Sequence, residues 1–250
     1  MKPQARNISN NASATFSPLY RQIKALLLTS LELGEWRPGE AIPSELGLAS
    51  RFKVSQGTVR KAIDELSAEN LLVRRQGKGT FVATHKEPHA HFRFLRLRPM
   101  EGKQDYPQMH LLDCRRGRAP VEIARILELK PGEGVVLLRR ILSFQGVPTV
   151  MDEISLPGNI FKGLTAARIS GSQGSLYNLF EAEFGTRMIR ADEQIRAIPA
   201  DAIASELLKV DIGTPLLCVD RVTYTYGDRA VEFRRGLYRT DRHYYSNTLA

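Results

Sequence analysis

Cysteine is scarce in this sequence of 250 residues: Cys114 and Cys218 lie far apart and form no CxxC pair. This spacing excludes a zinc ribbon and a dithiol redox site, and two isolated thiols suit a reducing cytoplasm. No apolar run approaches the roughly 20 residues that span a bilayer, and the start, MKPQARNISNNASATF, has no apolar signal-peptide stretch. We therefore expect a cytoplasmic protein without a membrane partner, whose residues 1–16 form a flexible tail.

Histidine is also rare, and the sequence offers little material for catalysis. Three of the five histidines, His85, His89 and His91, fall in one polar segment with no cysteine or acidic partner at metal-ligand spacing. No Ser/His/Asp or Cys/His grouping, HExxH motif or glycine loop leading into a helix stands out. We expect no metal, no cofactor and no enzymatic activity.

Positive charge is in excess, with a formal net charge of +9. Residues 1–83 contain 12 Lys and Arg against 7 Asp and Glu, a net of +5, so the N-terminal third carries more than half of the excess. Such a surplus favours an acidic partner such as nucleic acid, although solubility alone is a common cause of basic charge.

Three amphipathic helices are predicted in this basic third. The first begins at Ser17-Pro18 and stops near Gly34, and the other two are capped by Ser44 and Ser55. The inward-facing positions are expected to be Leu19, Ile23, Leu26, Leu27 and Leu31 in the first helix, Leu46, Leu48 and Ala49 in the second, and Val59, Ala62, Ile63 and Leu66 in the third.

The link at residues 53–54 is short enough for a helix-turn-helix, in which the third helix offers its outer side to a major groove. A solvated face of an unrelated helical bundle explains the third helix alone equally well. The expected contacts are phosphates or guanine for Arg60 and Lys61, adenine for Gln56, a phosphate or thymine methyl for Thr58, and close backbone approach at Gly57.

The stretch LLVRRQGKGTFVA, residues 71–83, decides between these interpretations. It has the pattern of a strand, a glycine turn and a second strand, which predicts a β-hairpin with a basic tip. A nucleotide-binding loop is excluded, because Lys78 is followed by Gly79 and a β-type run rather than by Ser or Thr and a helix. A hairpin directly after a recognition helix is a wing, and we expect Arg75 and Lys78 to contact the DNA backbone or the neighbouring minor groove.

The motifs PSE, LA, VSxxTVRxAxxxL and GxGTFV occur in this order within residues 18–83. This segment closely resembles the DNA-binding module of GntR-type bacterial transcription regulators. The resemblance implies a winged helix-turn-helix domain over residues 17–83 that binds double-stranded DNA. Leu46 and Gln56 stand where the family usually has arginine, which bears on the preferred operator. The residues assigned to DNA are Ser44, Glu45, Arg51, Ser55, Gln56, Gly57, Thr58, Arg60, Lys61, Arg75, Gly77, Lys78 and Gly79.

The rest of the chain has a different pattern. Residues 84–105 are polar and irregular, and we assign them to a linker. Beyond them, strands alternate with helices in an order typical of a mixed α/β chain of the α+β class, built around an antiparallel sheet. Strands are predicted at 109–116, 134–143, 149–157, 187–198, 216–226 and 230–240, and helices at 121–129, 175–185 and 201–210.

Four pieces of this part resemble the UTRA effector domain of the HutC branch of GntR regulators. They are a strand with Arg140 followed by GVP, the LP and FKGL run at 156–164, the helix SLYNLFEAEFG, and the ending VEFRRGLYRTDRHYY. The resemblance implies that residues 106–250 adopt a chorismate-lyase-like fold, form a homodimer and bind a small effector in a cleft.

Two arguments select effector-binding residues. The segment GSQGSLY enters a helix, and helix N-termini and hydroxyls favour anions, which selects Ser172, Ser175 and Tyr177. The UTRA resemblance adds an anion-pairing Arg140, a carboxylate at Asp152, and Glu232 with Tyr238 on the facing strand. Leu142 replaces a second arginine of sugar-phosphate sensors, which weakens the case for a phosphate and leaves carboxylates such as amino acids or histidine catabolites open. Each residue also has a structural interpretation, such as pairing of Asp152 or Glu153 with Arg139 or Arg140.

These observations together predict a dimeric transcription regulator that binds a pseudo-palindromic operator. Among regulators, a repressor is the predicted type. The predicted effector is a small anionic metabolite such as a sugar phosphate, an amino acid or a carboxylate. Two alternatives are a chorismate-lyase-like enzyme, which would release pyruvate from chorismate, and a ligand-binding module with a DNA-tethering domain.

Overall fold

The computed structural model describes residues 17–86, 94–103, 105–172 and 175–247. The predicted tail, two of the linker histidines (His89 and His91) and Gln173-Gly174 lie outside these ranges. The chain divides into two compact units, residues 1–82 and 83–250. Within the described ranges no helix is both long and apolar enough to cross a membrane.

The first unit contains three helices, α1 Leu19–Glu32, α2 Glu45–Phe52 and α3 Gln56–Ala68. Ser44 and Ser55 begin α2 and α3, because each side-chain oxygen accepts a hydrogen bond from the backbone N–H three residues later. Lys53 ends α2 in the left-handed conformation, with φ of 54°, which makes the turn into α3 tight. These helices confirm the predicted helix-turn-helix.

The helices pack through a narrower apolar stripe than the sequence suggested. The predictions for Leu19, Leu26 and Leu46 were wrong: their exposed fractions are 49%, 50% and 70%. Helical spacing places Leu19 and Leu26 at the edge of the stripe and Leu46 on the outer side of α2. Ser17 does not cap α1 either, because Pro18 occupies the cap position without a side-chain hydrogen bond. The buried positions of the three helices are Ile23, Leu27, Leu31, Leu48, Ala49, Val59, Ala62, Ile63 and Leu66.

A hairpin follows α3, as predicted, with strands β1 Leu72–Arg75 and β2 Gly79–Val82. The two strands are antiparallel and Arg75 pairs with Gly79. Gly77 and Gly79 have φ of 69° and 108°, a region that side chains with a Cβ rarely enter, which explains the two glycines of the turn.

The second unit is built on a six-stranded antiparallel sheet with the strand order β4-β5-β6-β9-β8-β7. Every strand predicted beyond residue 106 is present. The bounds are β4 Gln108–Gly117, β5 Val135–Phe144, β6 Val147–Pro157, β7 Arg190–Pro199, β8 Pro215–Tyr224 and β9 Ala230–Tyr238.

The helices cover both faces of this sheet. Apolar side chains of β5 and β6 pack against α5 and α6 on one face, while α7 and α4 cover opposite ends of the other face. The sequence did not predict α5. The bounds are α4 Val121–Ile126, α5 Ala166–Gly171, α6 Leu176–Phe184 and α7 Ala202–Leu208.

The described part of segment 84–105, expected to be a linker, packs within the second unit. Strand β3 Leu97–Pro99 pairs with β10 His243–Tyr245 in a small separate sheet. His85, which was expected to lie in a polar linker, is buried, with 2% of its surface exposed. Its backbone N–H donates to the carboxylate of Glu181, and its Nε2 lies 3.0 Å from the carbonyl oxygen of Met188.

The core of the first unit provides a stability test, because Trp36 is the single tryptophan of the chain and is buried there. Leu66→Ala removes a fully buried side chain and should lower the free energy of unfolding by about 2–5 kcal/mol. Leu46→Ala is the matched control and should change it by less than about 0.5 kcal/mol. Urea unfolding followed by Trp36 fluorescence measures both. Equal effects of the two substitutions would contradict this assignment of the core.

Candidate nucleic-acid interface and ligand cavity

The outer side of α3 and the tip of the hairpin form one candidate surface of the first unit. Gln56, Gly57, Arg60 and Lys61 are exposed, as expected for a recognition helix, while Thr58 is half-buried. Residues 74–79, which include Arg75, Gly77, Lys78 and Gly79, are all exposed at the wing. A Cβ built on Gly57 would touch only the Ser55 side chain, at 3.9 Å, so the backbone is open to close approach here.

The three hydroxyl side chains among the predicted DNA contacts have structural partners in the protein itself. Ser44 and Ser55 cap the two helices, and the Ser55 and Thr58 hydroxyls lie 2.9 Å apart. The Ser55 bonds fix the first turn of α3, and the N-terminus of a helix is a position where the helix dipole favours a phosphate.

Glu45 holds together three of the polar side chains at this surface. Its carboxylate accepts hydrogen bonds from Gln56 Nε2 at 3.2 Å and Arg60 Nε at 2.9 Å, and it forms an ion pair of 2.9 Å with Arg74. Partial burial raises the pKa of Glu45, but the hydrogen bonds from Arg60, Gln56 and Arg74 outweigh it, so the pKa lies below its usual value. Glu45 therefore stays ionised at neutral pH and orients the side chains that would meet DNA.

Arg74, which the sequence analysis did not select, belongs to this cluster and also pairs with Asp64 at 2.8 Å. Arg74 and Arg75 are neighbours in the sequence, but consecutive side chains of a strand point to opposite faces. The two arginines therefore have different surroundings, which the sequence alone did not show. Arg74 is turned toward Glu45, whereas the Arg75 guanidinium lies 4.6 Å from the centre of the Phe81 ring.

Two further cations of the candidate surface rest on aromatic rings. The ammonium of Lys61 lies 4.0 Å from the centre of the Tyr20 ring, and the Arg51 guanidinium lies 5.8 Å from the Trp36 ring. Arg51 also pairs with Glu35, with one N–O distance of 3.1 Å. A cation–π contact at an exposed site restricts Lys61 without neutralising it, so Lys61 retains positive charge for a phosphate, whereas the charge of Arg51 is offset by Glu35.

A second candidate site lies on the face of the large sheet that α6 covers. Arg140 on β5 stands opposite Asp152 on β6, which in turn stands opposite Gly236 on β9. Two residues along, Arg234 on β9 stands opposite Arg221 on β8. Because side chains two positions apart share a face of a sheet, the three arginines and Asp152 lie on the same face and line one cavity.

The cluster is a buried network of ion pairs. Asp152 is 1% exposed, and its Oδ2 accepts hydrogen bonds from Arg140 Nε at 2.8 Å and Arg234 Nη1 at 3.2 Å. Arg234 also binds Glu232 with two hydrogen bonds of 3.0 and 3.1 Å. Tyr177, from α6, donates its hydroxyl to Glu232 at 2.9 Å. A single hydrogen-bonded network thus joins β5, β6, β9 and α6.

Burial and mutual charge set the protonation of this network. Burial raises the pKa of Asp152, but the charges of Arg234 and Arg140 outweigh burial and hold this pKa below its usual value. Burial and the charge of Arg234 lower the pKa of Arg140, whereas Glu232, Tyr177 and Asp152 overcome burial and raise the pKa of Arg234. At neutral pH the site therefore presents ionised Asp152 beside cationic guanidinium groups.

One oxygen of this network has no partner. Asp152 Oδ1 is buried and accepts no hydrogen bond from any residue that the structure describes, although it adjoins a cavity of about 30 Å³. The Arg140 Nη1 beside it contacts the Met109 sulfur at 3.5 Å, a weak acceptor. A Cβ on Gly236 would lie 3.0 Å from Asp152 Oδ1 and 2.5 Å from the Tyr238 ring, so glycine keeps this space open.

Five of the seven predicted effector residues meet at this cavity. Arg140, Asp152, Ser175, Tyr177 and Tyr238 line it, and Glu232 lies directly behind them as the partner of Tyr177 and Arg234. Burial raises the pKa of Tyr238 to about 12, so its hydroxyl stays neutral.

Ser172 is the predicted residue that lies away from the cavity. Its hydroxyl donates to the Ile169 carbonyl oxygen at 2.8 Å. Ser175 caps α6 by accepting from the Asn178 N–H at 3.3 Å, so its hydroxyl has a structural partner as well. Both structural pairings that the sequence left open are present, Arg140 with Asp152 and Arg139 with Glu153.

Sequence reasoning missed Arg221 and Arg234. Arg234 could have been found, because it lies between Glu232 and Tyr238 at even spacing and so shares their face of β9. Arg221 is brought to the site by the pairing of β8 with β9. It donates to the Phe94 carbonyl oxygen and to Glu193, which stands at the rim of the cluster.

A larger groove of about 470 Å³ opens at the turn between β5 and β6. Its charged groups are at the surface, and Arg239 is paired with Asp241 at 2.7 Å. The inner cluster is the stronger candidate, because an unpartnered buried carboxylate oxygen requires a hydrogen-bond donor, whereas surface ion pairs are satisfied by water.

Comparison with known families agrees with both sites. The family model "Bacterial regulatory proteins, gntR family" matches residues 19–82, and the "UTRA domain" model matches residues 102–244. The HTH-type transcriptional regulator YurK of Bacillus subtilis is 30% identical, with 93% of this chain and 95% of that protein covered. A probable fructoselysine utilization operon transcriptional repressor of Escherichia coli is 28% identical, with 90% and 91% covered.

Solved structures give the same result. The ligand-binding domain of a GntR-family regulator from Bordetella bronchiseptica is 52% identical, with a TM-score of 0.62, and covers 64% of this chain and 99% of that one. PhnF from Mycobacterium smegmatis is 28% identical, with a TM-score of 0.53. The match covers 91% of this chain and 99% of that one. These families and relatives are transcription regulators and not enzymes, so the chorismate-lyase alternative is not supported.

Alanine substitutions in the recognition helix and in the wing should weaken DNA binding in different ways. Arg60→Ala removes a side chain that can read a base edge and should cost about 1–3 kcal/mol on an operator chosen by in vitro selection, with less effect on random duplex. Lys78→Ala removes a phosphate contact, so it should weaken binding to both duplexes alike and reduce the salt slope by about 1.

Fluorescence anisotropy at several salt concentrations measures these effects. Lys162→Ala, an exposed lysine of the second unit, is the control and should change neither affinity. Unchanged operator affinity in Arg60→Ala would show that α3 is not the recognition helix.

The Glu45 cluster predicts a gain of non-specific binding. Glu45→Gln removes the charge that neutralises Arg60 and Arg74, so affinity for random duplex should rise severalfold while the preference for the operator falls. Glu69→Gln is the matched control, because Glu69 pairs with Lys24. The same anisotropy titrations decide the matter, and weaker random-duplex binding by Glu45→Gln would refute the role of Glu45.

Proposed function

Because the chain belongs to the GntR family of bacterial regulatory proteins and carries a UTRA domain, we propose that it is a ligand-controlled repressor of the HutC type. In this proposal the protein is a cytoplasmic homodimer. Residues 17–83 bind the operator, and residues 106–250 bind a small effector and form the dimer contact. Binding of the effector lowers its affinity for DNA. The observation that carries the choice of effector site is the buried, unpartnered Asp152 Oδ1 beside three arginines.

The chemistry of the cavity favours an effector with two kinds of group. An anionic group is favoured by Arg140 and Arg234, which are buried and positively charged, and a phosphate or carboxylate can accept from a guanidinium in bidentate fashion. Asp152 Oδ1 requires a hydrogen-bond donor, which a hydroxyl or an ammonium group supplies. Amino acids, hydroxy acids and sugar phosphates carry both groups, whereas simple fatty acids and neutral sugars lack one of them.

The relatives support this choice of class. One of them is described as a repressor of fructoselysine utilization, and a conjugate of a sugar with an amino acid carries a carboxylate, an ammonium group and hydroxyls. The Leu142 side chain, 2% exposed at the cavity wall, adds an apolar contact rather than a further positive charge. The proposed effectors therefore include two classes of compound. One class is the sugar phosphates, and the other combines carboxylate, ammonium and hydroxyl groups.

The cavity must expand to admit such a compound. Its volume of about 30 Å³ suits one water molecule, whereas pockets for small metabolites span roughly 300–1,000 Å³. A cavity of this size corresponds to a closed arrangement of the site in the proposed cycle. An effector that binds only the expanded state shifts the population toward it, and the affinity for DNA changes if the two states differ in their affinity for the operator.

Operator recognition follows from a dimer of two winged helix-turn-helix domains. Two recognition helices on a pseudo-palindrome meet major grooves about 34 Å apart, which is one helical turn. A ligand that alters this spacing, or its flexibility, weakens simultaneous binding of both half-sites. The repressor assignment rests on relatives that are described as repressors.

A thermal-shift comparison tests the effector class. Glucosamine 6-phosphate, fructoselysine and L-glutamate each carry an anion and a donor, while glucose and propionate each lack one. At a hundredfold excess over Kd a ligand stabilises the folded protein by about 2.7 kcal/mol, so the melting temperature of its unit should rise by several degrees. At least one of the first three compounds should produce this shift, and neither of the last two should.

The variants of this test separate the cavity from the rest of the sheet. Arg140→Ala and Asp152→Asn should abolish the shift. Arg139→Ala is the matched control, because Arg139 forms the adjacent pair with Glu153 on the opposite, exposed face, and it should retain the shift. Equal stabilisation by propionate, or an undiminished shift in Arg140→Ala, would contradict the proposed site.

A further inference from the structure

The chain is anchored to α6 as soon as it leaves the wing. Strand β2 ends at Val82, and two residues later the Thr84 hydroxyl and the His85 backbone N–H both donate to the carboxylate of Glu181. The His85 ring is buried and its Nε2 lies 3.0 Å from the Met188 carbonyl oxygen. The first residues of the second unit are therefore fixed by the Glu181 side chain and the Met188 backbone, which lie about a hundred positions later in the sequence.

The same helix forms a wall of the ligand cavity. Ser175, Leu176 and Tyr177, at the start of α6, line the cavity. Tyr177 and Glu181 are four residues apart and so share one side of the helix. The His85 ring centre lies 5.6 Å from the ring centre of Tyr177, so the anchored segment also packs directly against a cavity residue.

Hydrogen bonds to charge make this anchor stiff. The Glu181 side chain is 3% exposed, and Arg187 Nε lies 3.9 Å from its Oε2. Hydrogen bonds to an ionised acceptor are roughly twice as strong as neutral ones, and a buried carboxylate that lost them would be left without compensation. A displacement of α6 therefore moves Thr84 and His85 with it, rather than breaking their bonds to Glu181.

The cavity must enlarge to hold a metabolite, and α6 is the wall whose first turn is tied to the sheet through the Tyr177–Glu232 hydrogen bond. An effector that engages Arg234 or Asp152 competes with this network. Release of Tyr177 frees the first turn of α6, and the helix carries the displacement to Glu181, one turn further on.

We infer that Glu181 is a positioning residue that couples the ligand cavity to the chain segment leaving the DNA-binding wing. The inference rests on the proposed effector site for its biological meaning. Its physical content is narrower: a change at Tyr177 reaches the DNA-binding unit through the bonds from Thr84 and His85 to Glu181.

A double-mutant cycle tests the coupling without any ligand. Operator affinity of the full chain is measured on an in vitro selected duplex for the wild type, Tyr177→Phe, Glu181→Met and the double variant. Tyr177→Phe loses the hydrogen bond to Glu232, and we expect it to lower operator affinity by about fivefold, at the lower end of typical couplings between sites. In the Glu181→Met background the same substitution should change affinity by less than about twofold, which is near additivity error.

Two further variants guard against a merely structural effect. Glu183→Met is the matched control, because Glu183 lies on the same helix, is 41% exposed and pairs with Arg168 at 3.6 Å. The fivefold effect of Tyr177→Phe should persist in it. Thr84→Val removes one donor from the other side of the anchor with little change in volume, and it should reduce the effect of Tyr177→Phe as Glu181→Met does. Circular dichroism melts establish that each variant is folded.

The outcomes are distinct from those of the effector test. If Tyr177→Phe leaves the operator affinity of the wild type unchanged, or lowers it equally in all backgrounds, the coupling through Glu181 is wrong. If none of the panel compounds binds while the cycle is non-additive, the coupling stands and the proposed effector class fails.

Discussion

The two oxygens of Asp152 lie in unequal environments, and the candidate ligand site depends on this difference. One oxygen accepts hydrogen bonds from two guanidinium groups, whereas the other faces a space no larger than a water molecule. A buried charge is tolerated only when it is paired and hydrogen-bonded, so the arginines explain how Asp152 persists in the core of the sheet. The unpartnered oxygen explains why a ligand that carries a hydrogen-bond donor would bind more favourably. The proposed class of effector follows from this one residue.

The two sites of the chain use the same physical device. At the candidate DNA-binding surface the carboxylate of Glu45 holds Gln56, Arg60 and Arg74. In the sheet, Asp152 and Glu232 hold Arg140 and Arg234. An internal carboxylate keeps each arginine oriented, and a partner must compete with it. Such competition reduces affinity for partners that offer charge alone and favours those that also match the geometry.

Much of the fold could be predicted from local signals. Serine caps, the glycine turn at residues 77–79 and alternating strands identified the winged helices and the six strands of the large sheet. Leu19, Leu26 and Leu46 were misjudged, because helical spacing shows which residues share a face but not how wide the buried stripe is. The burial of His85 depends on Glu181, a partner far away in the sequence that no local pattern reveals.

The candidate ligand site was predictable only in part. The β5–β6 hairpin brought Arg140 to Asp152, and the possible pairs across this hairpin were visible in the sequence. Its register, which separates the buried pair from the exposed Arg139–Glu153 pair, was not. Arg221 joins the cluster because β8 lies next to β9 in the sheet, which is a property of topology that a pattern along the chain does not encode.

A crystal structure of the full chain with a bound panel compound is the most direct measurement of the central claim. The account predicts the anionic group of the compound within hydrogen-bond distance of the Arg140 and Arg234 guanidinium groups, and a hydroxyl or ammonium group of the compound on Asp152 Oδ1. It also predicts that the Tyr177–Glu232 hydrogen bond is broken or lengthened. A compound bound instead in the outer groove beside Arg239, with Asp152 Oδ1 still unpartnered, would contradict the account.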